Sequence, residues 1–296
     1  MQFLAYILIY PLLWIISILP FRLLYIISDV LYVLVYYIIG YRKKTVKYNL
    51  ELVFPDKSEK EIQALSKKFF HHLCDMILES VKSLTVSEAE MIKRFKLIGL
   101  EEVHKLENEN RNIVLMCAHY ANFEWIFIAQ RFIKMKGFGV YKRLNNKYFD
   151  RLIKRKRAKY NTTLITTKET ISVLMNSIKK GEQSISGFVS DQSPKPNKAF
   201  HWNDFMGIKV PVHTGAEMLA KKLDTSVVFF GVKKVKRGYY ETTFKTIAIN
   251  AKDYKNYEIT DMFLKLVEKQ IYEAPEYYLW THKRWKHKDK VPAKFQ

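Results

Sequence analysis

His119 and Glu124 are the two residues of this chain whose types and setting best suit chemistry. They lie in Asn112-Ile-Val-Leu-Met-Cys-Ala-His-Tyr-Ala-Asn-Phe-Glu-Trp125, where an apolar run over residues 113–118 ends on the histidine. Such a run, bounded by polar residues, predicts a strand buried on both faces. Asn122 then caps a helix starting near Phe123, so His119 sits at the strand's carboxyl end and Glu124 in the helix's first turn. Ligands of open α/β sheets bind at that edge. A carboxylate beside an imidazole fixes its tautomer and raises its basicity, giving a general base. The spacing alone decides little: His104 and Glu109 share it, but in a charged stretch that reads as a solvated helix.

The elements that would position this pair follow from the rest of the chain. Strands are expected at 112–118, 137–141, 184–190 and 226–232. Helices are expected at 99–110, 123–136, 146–160, 168–180, 214–223 and 259–272. Helix-length segments between strands imply crossovers, hence an α/β fold with a mainly parallel sheet flanked by helices. Upstream, Ser58 reads as the cap of a helix carrying Ile62, Leu65 and Phe69 on one face.

The first 40 residues read as a retained membrane anchor. Residues 3–19 carry no charge and residues 23–39 carry only Asp29. Each stretch makes about 26 Å of helix against a hydrocarbon core of ~30 Å. Residues 3–19 are expected to insert, with 23–39 following or lying along the interface. Arg42, Lys43, Lys44 and Lys47 come next. Positive charge stays on the cytoplasmic side, so residues 41–296 form a catalytic domain facing the cytoplasm. The alternative is an apolar hairpin packed on a soluble core.

The formal net charge of +21 calls for an acidic partner. Nine Lys or Arg fall within 142–159, suited either to a phosphate or carboxylate at the site or to docking an acidic carrier protein. Asp191, after an apolar run, either orients a substrate, holds a basic residue or caps a turn. Trp280 and Trp285 among Lys and Arg suit a membrane interface. Cys74 and Cys117 form no metal-like pattern and imply a reducing compartment. Cys117 is a conceivable nucleophile, with a buried core thiol the better reading. Zinc-protease, serine-elbow, phosphate-loop and dinucleotide signatures are missing. The apolar start and the lack of a recognition motif argue against nucleic acid as the partner.

His119-Tyr-Ala-Asn-Phe-Glu124 resembles the His-x4-Asp/Glu motif of membrane glycerolipid acyltransferases. Four further blocks narrow the likeness to the late acyltransferases of lipid A biosynthesis: residues 42–55, ending Phe54-Pro55; residues 140–150 with Arg157; Asp191-Gln-Ser-Pro194 with Phe205-Met-Gly207; and residues 275–285. The chain has Lys142-Arg143 where that family usually has Arg-Pro. The resemblance implies transfer of a fatty acyl chain from a thioester, on acyl carrier protein or coenzyme A, to a hydroxyl of an anionic lipid A precursor. His119 would be the base and Glu124 its orienting carboxylate. Lys142, Arg143, Asn146, Asp150, Arg157, Asp191 and Gln192 would bind substrate. No metal or other cofactor is expected, and the enzyme would sit at the inner membrane. Another lipid acceptor, such as an amino-acid lipid or phosphoglycolipid, and a non-enzymatic basic membrane or nucleic-acid-binding protein are the alternative readings.

Overall fold

Ile113–Cys117 is buried at every residue and forms the middle of a sheet, as a run without polar interruption requires. In the computed structural model, which describes residues 2–295, the chain starts with α1 (Gln2–Ile18) and α2 (Phe21–Val33), the latter continued by a π-helical stretch Leu34–Ile39. Helices α3 (Lys43–Val53), α4 (Glu59–Lys82) and α5 (Glu88–Arg94) follow. The α/β part then runs β1 (Phe95–Lys96), α6 (Glu101–Asn108), β2 (Ile113–Cys117), a 3-10 segment Phe123–Arg131, β3 (Lys136–Tyr141), α7 (Lys147–Arg157), β4 (Thr163–Thr166), α8 (Thr170–Lys179) and β5 (Ser184–Val189). It ends with β6 (His201–Phe205), β7 (Ile208–Val212), α9 (Gly215–Leu223), β8 (Ser226–Lys236), β9 (Tyr239–Ala248) and α10 (Glu258–Glu273).

The seven-stranded sheet has the order β1-β9-β8-β2-β5-β3-β4. All neighbours are parallel except the β8–β9 hairpin, so the expected α/β fold with a mainly parallel sheet is what forms. β2 pairs with β5 on one side and β8 on the other, Ile113 standing opposite both Ile185 and Ser226. From β2 the chain first builds the β5 side and later the β8 side. The carboxyl ends of β2 and β5 therefore open a crevice of the kind where α/β proteins bind ligands.

The expected cap of α4 forms as a full capping box between Ser58 and Glu61. α4 also carries Asp75, Glu79 and Lys82 at helical spacing, and these three charged residues are buried against the N-terminal helices. Lys82 Nζ donates to the Ser17 and Leu19 carbonyls at 2.7 and 2.6 Å, ending α1. Ser28 donates to Asp75 and Tyr25 to Glu79, both at 2.8 Å, and Arg237 bridges Asp75 to Asp29. One face of α1 and α2 is thus held on the protein. The other carries exposed apolar side chains, among them Leu8 (77 % exposed), Ile38 (70 %) and Ile39 (68 %).

The C-terminal segment differs from expectation. Trp280, Arg284 and Trp285 are buried rather than presented to a membrane. Trp280 stacks on Trp285, Trp285 Nε1 donates to the Phe205 carbonyl and Arg284 Nη1 to the Pro211 carbonyl, and the Arg284 guanidinium lies over the Phe205 ring. Such internal acceptors remove the reason for these residues to seek an interface.

Candidate active site

His119 stands two residues past β2 with its side chain 21 % exposed. The turn that carries it is pinned on several sides. Leu279 N donates to the His119 carbonyl, Ala121 N to the Tyr277 carbonyl, and the Tyr120 hydroxyl to the carbonyls of Gln270 and Ala274. Ala121 sits at φ +46°, in the left-handed region that costs a non-glycine residue energy, so the surrounding contacts must hold it there. Asn122 does not cap the following helix. Its Nδ2 donates instead to Glu79 Oε2 at 2.7 Å, and the helix that follows has 3-10 geometry.

The carboxylate that meets the imidazole is Asp191, not Glu124. His119 Nδ1 lies 2.7 Å from Asp191 Oδ1, and the Asp191 side chain is 1 % exposed. Asp191 therefore holds a basic residue, one of the readings its sequence position offered. Burial disfavours the charged imidazolium, but Asp191, with a further contribution from Glu124, outweighs it and raises the His119 pKa. Burial likewise pushes the Asp191 carboxyl up, and His119 outweighs that and lowers it. With Nδ1 committed, Nε2 is the free position. Gln192 Nε2 approaches it at 3.4 Å.

Glu124 faces the other way along the crevice. Arg157 grips it with both Nε and Nη2, and Lys156 Nζ reaches it at 3.1 Å while also donating to Ser80. Burial pushes the Glu124 carboxyl up, but Lys156 and Arg157 reverse that and hold it down at about 2. Lys156 is therefore an internal residue rather than part of a docking face. Asn146 and Asp150 do not join the site. Asn146 caps α7 through Tyr148 N and Phe149 N, and Asp150 accepts from the Tyr141 hydroxyl and Leu144 N. Lys142 and Arg143 are exposed on the loop between them and β3.

Beneath the 3-10 segment runs a narrow apolar cavity of about 100 Å³. Phe123, Phe127 and Ile133 form one wall, and β3 and β5 form another. Glu124 and Arg157 are among its lining residues, and the Phe123 ring packs edge-on against the His119 imidazole at 5.1 Å. Gly187 of β5 lies on the sheet wall with room to spare, since a Cβ there would come no closer than 3.9 Å to its nearest neighbour. Cys117 also lines the cavity, but burial pushes its thiol up, so it is a wall atom and not a nucleophile.

Sequence reasoning missed Glu79 and the pairing of His119 with Asp191. The second lay between residues 72 positions apart, and only the neighbouring strand ends bring them together. For Glu79 the signal was present: three charged residues on the stripe of a helix that is otherwise apolar on that side.

The family of bacterial lipid A biosynthesis acyltransferases matches residues 1–287. Similar proteins include the lipid A biosynthesis lauroyltransferase of Escherichia coli (strain K12), 26 % identical over 285 residues, covering 96 % of this chain and 92 % of that protein. The lipid A biosynthesis palmitoleoyltransferase of the same organism is 23 % identical, covering 83 % and 79 %. A lipid A biosynthesis acyltransferase of Haemophilus influenzae is 26 % identical, covering 86 % and 82 %. A match over nearly the whole chain, on a fold that puts a held imidazole beside an apolar cavity, makes this protein an acyltransferase belonging to the bacterial lipid A biosynthesis acyltransferase family.

Proposed function

We propose that the protein moves a fatty acyl chain from a thioester, on acyl carrier protein or coenzyme A, to a hydroxyl of a lipid A precursor, with His119 as the base. Neutral His119 takes the hydroxyl proton at Nε2 as the oxygen attacks the thioester carbonyl. Asp191 keeps Nδ1 protonated and stabilises the imidazolium that forms. The tetrahedral intermediate then expels the thiolate, which recovers the proton from His119. The Gln192 amide and the Arg157 guanidinium are the donors near enough to the crevice to face the developing oxyanion. In this reading Glu124 acts through Arg157, holding the guanidinium at the cavity mouth, and adds negative potential at the imidazole.

The observation that carries the proposal is the juxtaposition of a histidine whose Nδ1 is occupied by a buried carboxylate with an apolar cavity one side chain away. A thioester is already activated, so a base, donors and an apolar wall for the acyl chain to lie against suffice for the chemistry. The exposed apolar face of α1 and α2 supports placement at the inner membrane, where enzyme and lipid acceptor share one surface, and the basic run Arg42, Lys43, Lys44 and Lys47 supports a sheet domain on the cytoplasmic side. The test is transfer of labelled acyl chains from acyl carrier protein to a lipid A precursor by the purified protein. A His119→Ala protein that folds and retains full transfer would remove the mechanism.

A further inference from the structure

Where the π-helical stretch ends, the backbone turns through Gly40 and Arg42, both at positive φ, into α3. Between this turn and the first turns of α4 lies a second cavity, of about 610 Å³, which shares no lining residue with the cavity beside His119. Its walls are basic. Lys43, Lys44, Lys47 and Lys60 line it, with Glu59 the one carboxylate. Lys47 is paired with Glu59 at 2.7 Å and lies 3.6 Å from Glu51. Lys43, Lys44 and Lys60 have no carboxylate partner among the described residues. Lys43 is fixed all the same, its Nζ lying 4.0 Å over the ring of buried Tyr36. Tyr36 and Gly40 line it on the α2 side, and the residues next to them in the chain, Tyr37, Ile38, Ile39 and Tyr41, are all exposed.

Three uncompensated ammonium groups around a concave space attract an anion. These exposed neighbours say which kind. Ile38 and Ile39 are stable at such exposure when they contact acyl chains, and Tyr37 and Tyr41 beside them suit the headgroup level of a bilayer. We propose that this cavity binds the phosphodiester headgroup of an anionic phospholipid, whose acyl chains lie along the exposed face of α2. The lipid is a fixed component of the enzyme and not its acceptor. The inference rests on the membrane placement proposed above, but not on the acyl-transfer chemistry.

The probe is phosphatidylglycerol in mixed micelles, compared with phosphatidylcholine of the same chains and with inorganic phosphate. Thermal unfolding of the full-length protein should rise with phosphatidylglycerol and reach half its effect at a concentration at least about tenfold lower than with phosphatidylcholine. The preference should weaken in high salt. The triple variant Lys43→Glu, Lys44→Glu, Lys60→Glu should lose it, while keeping acyl transfer in neutral detergent. Equal responses to the two lipids, or a variant that still prefers phosphatidylglycerol, would overturn the headgroup site. An equal shift from inorganic phosphate at similar concentration would also overturn it, marking a soluble-anion site instead. Loss of acyl transfer in His119→Ala leaves all these readings unchanged, so the two proposals fail separately.

Discussion

Asp191, from the end of β5, holds the Nδ1 of His119, from the end of β2, at 2.7 Å, so the two parallel neighbours at the centre of the sheet together build one imidazole–carboxylate pair. Because Asp191 raises the His119 pKa, the imidazole is protonated at low pH and becomes a base only as pH rises through a value above its ordinary 6.5. The acid limb of kcat/KM should therefore lie above pH 6.5. In Asp191→Asn, burial acts unopposed by that carboxylate and the limb should move to lower pH. The tautomer is also released, and kcat should fall about 10²–10⁴-fold. A pH–rate profile of the two proteins reads both effects, and an unmoved limb would contradict the pairing.

Glu124→Gln should loosen Arg157 and Lys156 and destabilise the fold by about 3 kcal/mol near neutral pH, since it leaves buried cations without their counter-charge. The Glu124 carboxyl is held at about 2 against an ordinary 4.5. Its contribution is thus present above about pH 4.5 and is lost as pH falls towards 2. Urea unfolding should show wild type and variant converging over that window. Arg157→Lys keeps the charge but loses the two-pronged grip, and should raise KM for the thioester more than a merely conserved charge implies.

Gly187→Ala should narrow the cavity without unfolding the protein, because a Cβ there meets nothing closer than 3.9 Å. Competition assays with acyl carrier proteins bearing different chains should show preference moving to shorter ones, by about tenfold in kcat/KM per few methylenes lost. Gly137, also on the cavity wall, should behave differently. A Cβ there would lie 1.9 Å from Gln130 Oε1, whose side chain donates to the Ile133 and Met135 carbonyls. Gly137→Val should therefore lower stability, read as a fall in Tm, before it changes specificity.

Asn122→Ala should lower kcat more than it raises KM. Asn122 hangs the His119 turn on Glu79, which also accepts from the hydroxyls of Tyr25 and Tyr240. Loss of that bond lets Ala121 leave its strained φ and lets the imidazole wander from the attack position. Circular dichroism should show the fold unchanged. Equal effects on kcat and KM would point to a general loss of structure instead.

Periodicity and run length located most of what the sheet contains. The expected 112–118, 137–141, 184–190 and 226–232 correspond to Ile113–Cys117, Lys136–Tyr141, Ser184–Val189 and Ser226–Lys236. Apolar runs buried on both faces leave a strong signal. β9 does not, because one of its faces is polar: Tyr240, Thr242 and Phe244 are buried while Lys245 and Thr243 are exposed. The short hairpin β6–β7 was hidden by Pro211, which sits within a strand that the residue usually interrupts. At the site, residue type found His119, and motif spacing put Glu124 beside it. Spacing cannot rank two carboxylates when one reaches the imidazole through space and the other is drawn off by Arg157. The expectation that Asn146 and Asp150 bind substrate comes from the family block that residues 140–150 resemble. Both turn out to serve the backbone at the start of α7.

Lys82 gives the first twenty residues a different standing. This buried residue donates its ammonium to the carbonyls of Ser17 and Leu19 at the end of α1, and the Thr85 hydroxyl joins it on Ser17. Cutting the chain at residue 41 would strand this cation, together with Asp75 and Glu79, on a shelf of bared hydrophobic surface. Shortened versions designed for easier handling in water would then aggregate, and detergent extraction of the whole chain is the route to usable material.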